Sequence, residues 1–171
     1  FHEAAGLTWG IIGAGNIGMK VADIAASFGG QVFVCRRKQE GNYPLMDIDT
    51  LCKISDIITI HCPLNEGTKH LINSDSLDTM KKGVVILNTS RGALIDTEAL
   101  IEGIKARKVG AACLDVYEEE SDVFFRDFSS HIVDDDKLAR LISMPNVIVT
   151  SHQAFLTEEA LYNIAETTVK N

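Results

Sequence analysis

The stretch GIIGAGNIGMKVADIAASFG, residues 10–29, decides how the rest of the chain is read. It joins an apolar run, TWGIIG, to a pattern in which Ile17, Val21, Ile24, Ala25 and Phe28 recur at helical spacing, with Gly29 and Gly30 as stop signals. Between run and pattern stand Gly13, Gly15 and Gly18, spaced G-x-G-x-x-G. After a strand and before a helix, each of these glycines has a physical purpose. Gly13 permits a tight turn, Gly15 lets the backbone approach a pyrophosphate, and Gly18 lets the helix pack close to the strand, with the phosphates at the helix N-terminus. Alone the array is a weak signal, because glycines that merely serve packing produce it too.

The surroundings strengthen it. Six apolar runs of strand length follow one another, TWGIIG, QVFVC, DIITIHC, VVILN, GAACLD and NVIVTS, each continuous rather than alternating. Continuous runs predict strands buried on both faces, as in a parallel sheet covered by helices. Asp96 is a plausible N-cap for a helix carrying Leu100 and Ile104, and Thr157 for the last helix, with Glu158 and Glu159 at its positive end. The expected fold class is α/β, a Rossmann-like doubly wound parallel sheet with helices on both faces. One irregular stretch, residues 117–136, is acidic and aromatic; it reads as an ordered loop because Val123, Phe124, Phe125 and Phe128 need burial.

With 171 residues, 46% hydrophobic and 23% charged, the composition suits one globular domain, a dinucleotide-binding domain over residues 1–171. Its ends suggest a piece of a longer enzyme: the chain opens on FHEAAG without a methionine, and the last helical pattern stops at Asn171 without a cap. No apolar run approaches the roughly 20 residues that cross a bilayer, so no membrane span is expected. The four cysteines, Cys35, Cys52, Cys62 and Cys113, form no C-x-x-C pair and suit reduced thiols in a cytoplasmic protein rather than a disulfide framework or a metal site. A net charge of −8 argues against nucleic acid as a partner, and most of it is local, since eight acids against Arg126 alone lie between Tyr117 and Asp136.

In an open α/β sheet, ligands bind beyond the carboxyl ends of the strands. At the end of the second run a carboxylate is expected to hold the ribose of NAD, yet Arg36 stands there, followed by Arg37 and Lys38. A 2′-phosphate needs cations, so the triplet favours NADP or a relaxed choice; a solvated basic loop is the alternative. The other strand ends carry His61 and Cys62 before Pro63, then Asn88, Thr89, Ser90 and Arg91, then Asp115, then Ser151 and His152. His152 is the natural acid/base around neutrality. Arg91 can grip a substrate carboxylate through two parallel hydrogen bonds. A carboxylate near the imidazole, Glu120 in this reading, would favour the imidazolium form. Each residue taken singly also has a bland reading, as a cap, a surface turn or part of a solvated acidic run.

The motifs GIIGAGNIG, SDIITIHCPLNEGTKHLIN, MKKGVVILNTSRGALIDTEAL, CLDVYEEE and TSHQAFLTEEAL, in this order, resemble the nucleotide-binding domain of the D-isomer-specific 2-hydroxyacid dehydrogenases over roughly residues 6–169. DVYEEESDVFFRDFS with HQAFLTEEA is most similar to the D-lactate dehydrogenase branch. The resemblance implies that Arg91 binds the substrate carboxylate, Glu120 pairs with the catalytic histidine, and His152 protonates the carbonyl oxygen of a small 2-keto acid as hydride arrives from NAD(P)H. The choice of Glu120 over Glu118 or Glu119 rests on the family pattern alone. Also implied are cofactor contacts from Asn16 and Ile17 in the glycine loop, from Cys62 and Pro63, from Thr89, Ser90 and Arg91, and from Asp115. Family members usually dimerise through this domain, and they build the substrate side of the cleft from a second domain absent from this sequence. Alone, the 171 residues should then bind nucleotide and turn over slowly or not at all. A glycerate or hydroxypyruvate enzyme, or a dinucleotide-sensing interaction protein akin to the corepressors that share the scaffold, are the competing readings.

Overall fold

The computed structural model describes residues 3–36, 42–119 and 135–170. All six apolar runs are strands: β1 (Thr8–Ile12), β2 (Gln31–Cys35), β3 (Ile57–Ile60), β4 (Val84–Asn88), β5 (Val109–Leu114) and β6 (Val147–Val149). They pair in parallel as one sheet in the order β2-β1-β3-β4-β5-β6. The order reverses between β1 and β3, where the connections leave in opposite directions and open a crevice at the strand ends.

Among the described residues five α-helices lie between the strands, α1 (Asn16–Ser27), α2 (Ile48–Ile54), α3 (Ser74–Thr79), α4 (Thr97–Lys105) and α5 (Asp136–Ser143), and α6 (Glu158–Lys170) follows β6. Asp96 caps α4 by accepting from the Ala99 amide, and the Thr157 hydroxyl accepts from the Ala160 amide at the start of α6, as the sequence predicts. Asp47, Asn73 and Asp135 cap α2, α3 and α5 in the same way. Those three helices span only seven, six and eight residues, too short for a periodic apolar pattern to announce them.

The two faces of the sheet are covered unequally. On one face, Ile12, Ile58, Ile60, Ile86, Ala112 and Leu114 are buried in a core shared with residues of α2, α3, α4 and α5. On the other, Ile11, Val32 and Val34 form a smaller core with Ala22 and Ala25 of α1. The row in register with Ile11 runs through Thr59, Leu87 and Cys113 to Ile148. Cover thins along that row: Thr59 is buried, Leu87 and Cys113 are half-buried, and Ile148 is 62% exposed.

Helix α1 follows the glycine loop as predicted and stops at Ser27, just before the stop signal Gly29, whose φ is +79°. Its buried side shares only Ala25 with the predicted stripe, while Val21 is half-buried. Gly18, Ala22 and Ala25 face the sheet, whereas Ile17, Ile24 and Phe28 are more than half exposed. Close helix–sheet packing demands small residues, so the large apolar side chains are displaced outward. Helix α6 buries no residue at all among those described. The aromatic stretch expected to be an ordered loop lies outside the described residues from 120 to 134. No described helix is long and apolar enough to cross a membrane.

Truncating Ile58, fully buried in the centre of the sheet, to alanine should cost about 3 kcal/mol of unfolding free energy. Ile24→Ser on the exposed side of α1 should change it by less than about 0.5 kcal/mol. Urea midpoints of the two variants check the assignment of faces.

Candidate active site

The glycine turn is built first, because everything at the reversal point touches it. The Gly13 amide donates to the Cys35 carbonyl at 2.9 Å, which fastens the turn to the end of β2. Gly13 has φ +89°, and a Cβ there would stand 2.5 Å from the Cys62 amide nitrogen. A Cβ on Gly18 would stand 2.3 Å from the Gly13 carbonyl oxygen. Both positions need glycine for the polypeptide's own packing. Gly15 does not: a Cβ there meets no atom within 4 Å. Its space is the approach to the N-terminus of α1, whose first amides have no intrahelical partner and favour an anion.

Beside the turn lies a cleft of about 570 Å³, lined by Gly13, Gly15, Arg36, His61, Cys62 and Pro63 among others. Apolar walls come from Ile12, Ala14, Ile48 and Leu71. A largely apolar cleft beside a glycine-lined helix N-terminus fits a nucleotide. Arg36 reaches into it from the end of β2. Its Nη1 lies 3.9 Å from the Met19 sulfur, and its buried Nε has no hydrogen-bond partner among the described residues. An unsatisfied guanidinium nitrogen at this point fits a ligand oxygen. Arg37 and Lys38 lie outside the described residues. Burial pushes the Cys35 and Cys62 thiols up, which keeps them protonated at neutral pH, and lowers the His61 imidazole, whose Nε2 is 2.8 Å from the Thr59 hydroxyl.

At the end of β4 the buried Asn88 shapes the next turn. Its side chain donates to the Arg91 carbonyl at 2.9 Å and accepts from the Ser90 amide at 3.1 Å. The Ser90 hydroxyl donates to the Cys62 carbonyl at 2.8 Å, joining this turn to the cleft wall. Thr89 and Arg91 are left exposed on the outer side of the turn, with an Arg91 Nη1 donating to the Ser90 carbonyl. At the end of β5, Asp115 is only 5% exposed, and the turn after β6 is folded around its carboxylate. It accepts from the Thr150 hydroxyl at 2.5 Å, the Gln153 amide at 3.0 Å and the Ala154 amide at 2.8 Å. The Asp115 carbonyl accepts from the His152 amide at 2.7 Å, and His152 is held at φ +52°. A non-glycine residue in this region needs such over-determination.

Of the residues singled out in the sequence, Gly13, Gly15, Arg36, Cys62 and Pro63 line the cleft. Asn16 and Ile17 open α1 and are exposed. Asp115, expected against the cofactor, has its carboxylate engaged in shaping the His152 turn. Glu120 lies outside the described residues. Sequence reasoning passed over Asn65 and Thr68, which line the cleft in the turn where the Thr68 hydroxyl donates to the Pro63 carbonyl. The P-x-N-x-x-T spacing after the third apolar run was the available signal. It also passed over a contact between His70 and Glu118, which comes from residues 48 positions apart.

Against known proteins, residues 1–154 match the family model for the D-isomer specific 2-hydroxyacid dehydrogenase, NAD binding domain. A D-lactate dehydrogenase of Escherichia coli is 44% identical over 171 residues, covering 97% of this chain and 52% of its own. Among solved structures, the D-lactate dehydrogenase from Lactobacillus jensenii with NAD+ superposes with a TM-score of 0.92 at 34% identity, over 99% of this chain and 52% of that one. The pyruvate reductase of Chlamydomonas reinhardtii does so with a TM-score of 0.92 at 40% identity, over 99% and 54%. The glycine-lined cleft at the order reversal is thus that of a nicotinamide-dinucleotide domain, and the chain belongs to the D-isomer-specific 2-hydroxyacid dehydrogenase family, as its NAD-binding domain. It spans about half the length of the curated relatives it matches.

Burial would raise the Asp115 carboxyl, but the donors from Thr150, Gln153 and Ala154 and the nearby His152 outweigh it and hold the group below the usual carboxylate range. A group so depressed contributes stability that is present above its unfolded value, about 3.9, and lost as pH falls through the folded one. Asp115→Asn should therefore cost about 2 kcal/mol of unfolding free energy at pH 7. The gap from wild type should narrow below about pH 4. Urea titrations at pH 7 and pH 3 check this; an equal gap at both would refute it.

Proposed function

We propose that this chain is the cofactor-binding half of an NAD(P)-dependent dehydrogenase that interconverts a small 2-keto acid of the pyruvate type and the D-2-hydroxy acid. The observation that supports it most is the convergence, along one sheet edge, of the cofactor cleft with the Arg91 and His152 turns. The bound nicotinamide supplies hydride to the keto carbon. Arg91, exposed on the turn after β4, grips the substrate carboxylate through paired charge-assisted hydrogen bonds. His152 gives its proton to the carbonyl oxygen in the reductive direction and takes it back in the other. Glu120 is the proposed partner of the imidazole, orienting it for proton transfer. Asn16, Ile17, Gly18, Thr89, Ser90 and Asp115 complete the cofactor's surroundings with the residues of the cleft.

Residues 1–171 form one domain, and sequence outside them supplies a second domain that closes the substrate side and excludes water. The protein works as a homodimer. The exposed row Ile17, Ile24 and Phe28 and the thinly covered sheet face support an apolar contact of that kind. The four cysteines, all free, support a cytoplasmic location. On the cofactor, the unpartnered Nε of Arg36 supports acceptance of a 2′-phosphate, so that NADP is bound as well as or better than NAD.

In the full-length protein, His152→Gln should lower kcat for pyruvate by about 10³-fold while leaving the KM for NADH nearly unchanged. Arg91→Ala should act mainly on the KM for pyruvate. Full activity of both variants, or no reduction of any 2-keto acid by the wild type, would overturn the reading. Calorimetric titration with NADH and NADPH at matched ionic strength should show NADPH binding at least as tightly as NADH, and Arg36→Asp should reverse the preference by about tenfold or more. An unchanged ratio would return Arg36 to a solvated role.

A further inference from the structure

Away from the cofactor cleft, Glu118 draws together three segments that are remote in sequence. Its Oε1 accepts from His70 Nε2 at 2.6 Å. Its Oε2 accepts from the hydroxyl of Thr97 at 3.0 Å and from the Thr97 amide at 3.3 Å, the first residue of α4. His70 is held at φ +50°, in the left-handed region, with its own amide donating to the Ala93 carbonyl and its carbonyl accepting from the Asn73 side chain. From there residues 70–72 run alongside 93–96, through the amides of Ile72 and Asp96. The backbone closes the same triangle: a Cβ on Gly92 would stand 2.0 Å from the carbonyl carbon and oxygen of Tyr117. The turn that ends in Arg91 is thus pressed directly against the chain entering Glu118.

We infer that His70 and Glu118 are positioning residues for the reaction, fixing the Arg91 turn and the segment leading to Glu120 as one unit. The inference rests on the roles proposed above for Arg91 and Glu120. Arg91 precedes Gly92 by one residue, and Glu120 follows Glu118 by two. The loop from Pro63 through Leu71, four of whose residues line the cofactor cleft, contains His70 next to Leu71. One carboxylate therefore sits where the cofactor wall, the carboxylate-binding turn and the segment carrying the imidazole's partner meet. Fold stability alone does not call for this arrangement. A carboxylate–imidazole contact with its side chains 22% and 35% exposed adds little net stability, and apolar packing would hold the segments equally well. What a charged, directional pair adds is a single geometry. Burial acts to raise the Glu118 carboxyl, and the hydrogen bonds from His70 and Thr97 outweigh it, so the group stays ionised and the His70 contact stays charge-assisted through the neutral range.

The test uses the full-length protein and steady-state reduction of pyruvate. His70→Ala should lower kcat/KM for pyruvate by about tenfold or more, with the KM for NADH changed less than about twofold. His70→Gln, whose amide can donate to Glu118 Oε1, should recover activity to within about threefold of wild type. Two results would overturn the inference: kcat/KM for pyruvate within about twofold of wild type in His70→Ala, or NADH and pyruvate constants that deteriorate together with no rescue by glutamine. Should the wild type reduce no 2-keto acid, the proposed function fails by itself. Hydrogen exchange then decides the pair: in His70→Ala, amides of residues 92–97 and 115–119 should exchange about tenfold faster while those of β1 do not change. Unchanged exchange in both segments would overturn the inference independently of activity.

Discussion

The absence of a side chain at residue 13 is the constraint on which the molecule is organised. With 2.5 Å between an added methyl carbon and the Cys62 amide, the end of β3 lies closer to the turn after β1 than any substituted residue permits. This proximity brings the Cys62 carbonyl within reach of the Ser90 hydroxyl, and Ser90 in turn is set by Asn88. A chain of short contacts thus runs from the glycine turn along the sheet edge, and the polar strand ends are held in register by it. Loosening the first contact would shift the Arg91 turn as well as the nucleotide cleft.

The unequal cover of the two sheet faces sorts the molecule into a rigid side and a receptive side. Under α2, α3, α4 and α5 the side chains are interlocked, and α4 alone buries five of its nine residues. Opposite, α1 protects β1 and β2 with alanines and a glycine, while the row beyond Thr59 becomes progressively open. The nucleotide site sits at the boundary of these sides, supported from the rigid one. Such an arrangement lets the open face meet other polypeptide without disturbing the cleft.

Legibility in the sequence followed physical locality. All six strands could be read because burial on both faces writes an unbroken apolar run, and caps such as Asp96 and Thr157 could be read because they act within three residues. The stripe on α1 held at Ala25 and failed at Ile17, Ile24 and Phe28, because helical periodicity tells which residues share a side, not which side meets the sheet; Gly18 and Ala22 share one with Ala25 too. Arg36, His61, Cys62 and Pro63 were found by position at strand ends. The use of Asp115 to shape the 150–154 turn, and the meeting of His70 with Glu118, depend on approach between residues 35 to 48 apart, which no local pattern encodes. Glu120 was preferred to its two neighbouring glutamates on the family pattern alone, since no local pattern separates three adjacent residues of one type.

The Asp115 network has a kinematic meaning. With one carboxylate gripping residues 150, 153 and 154, and the carbonyl of the same residue gripping 152, the imidazole travels with β5 as though welded to the sheet. Four residues after Ala154 α6 begins, and it buries nothing in this domain. His152 therefore belongs to the body of the sheet, and α6 can shift without displacing it.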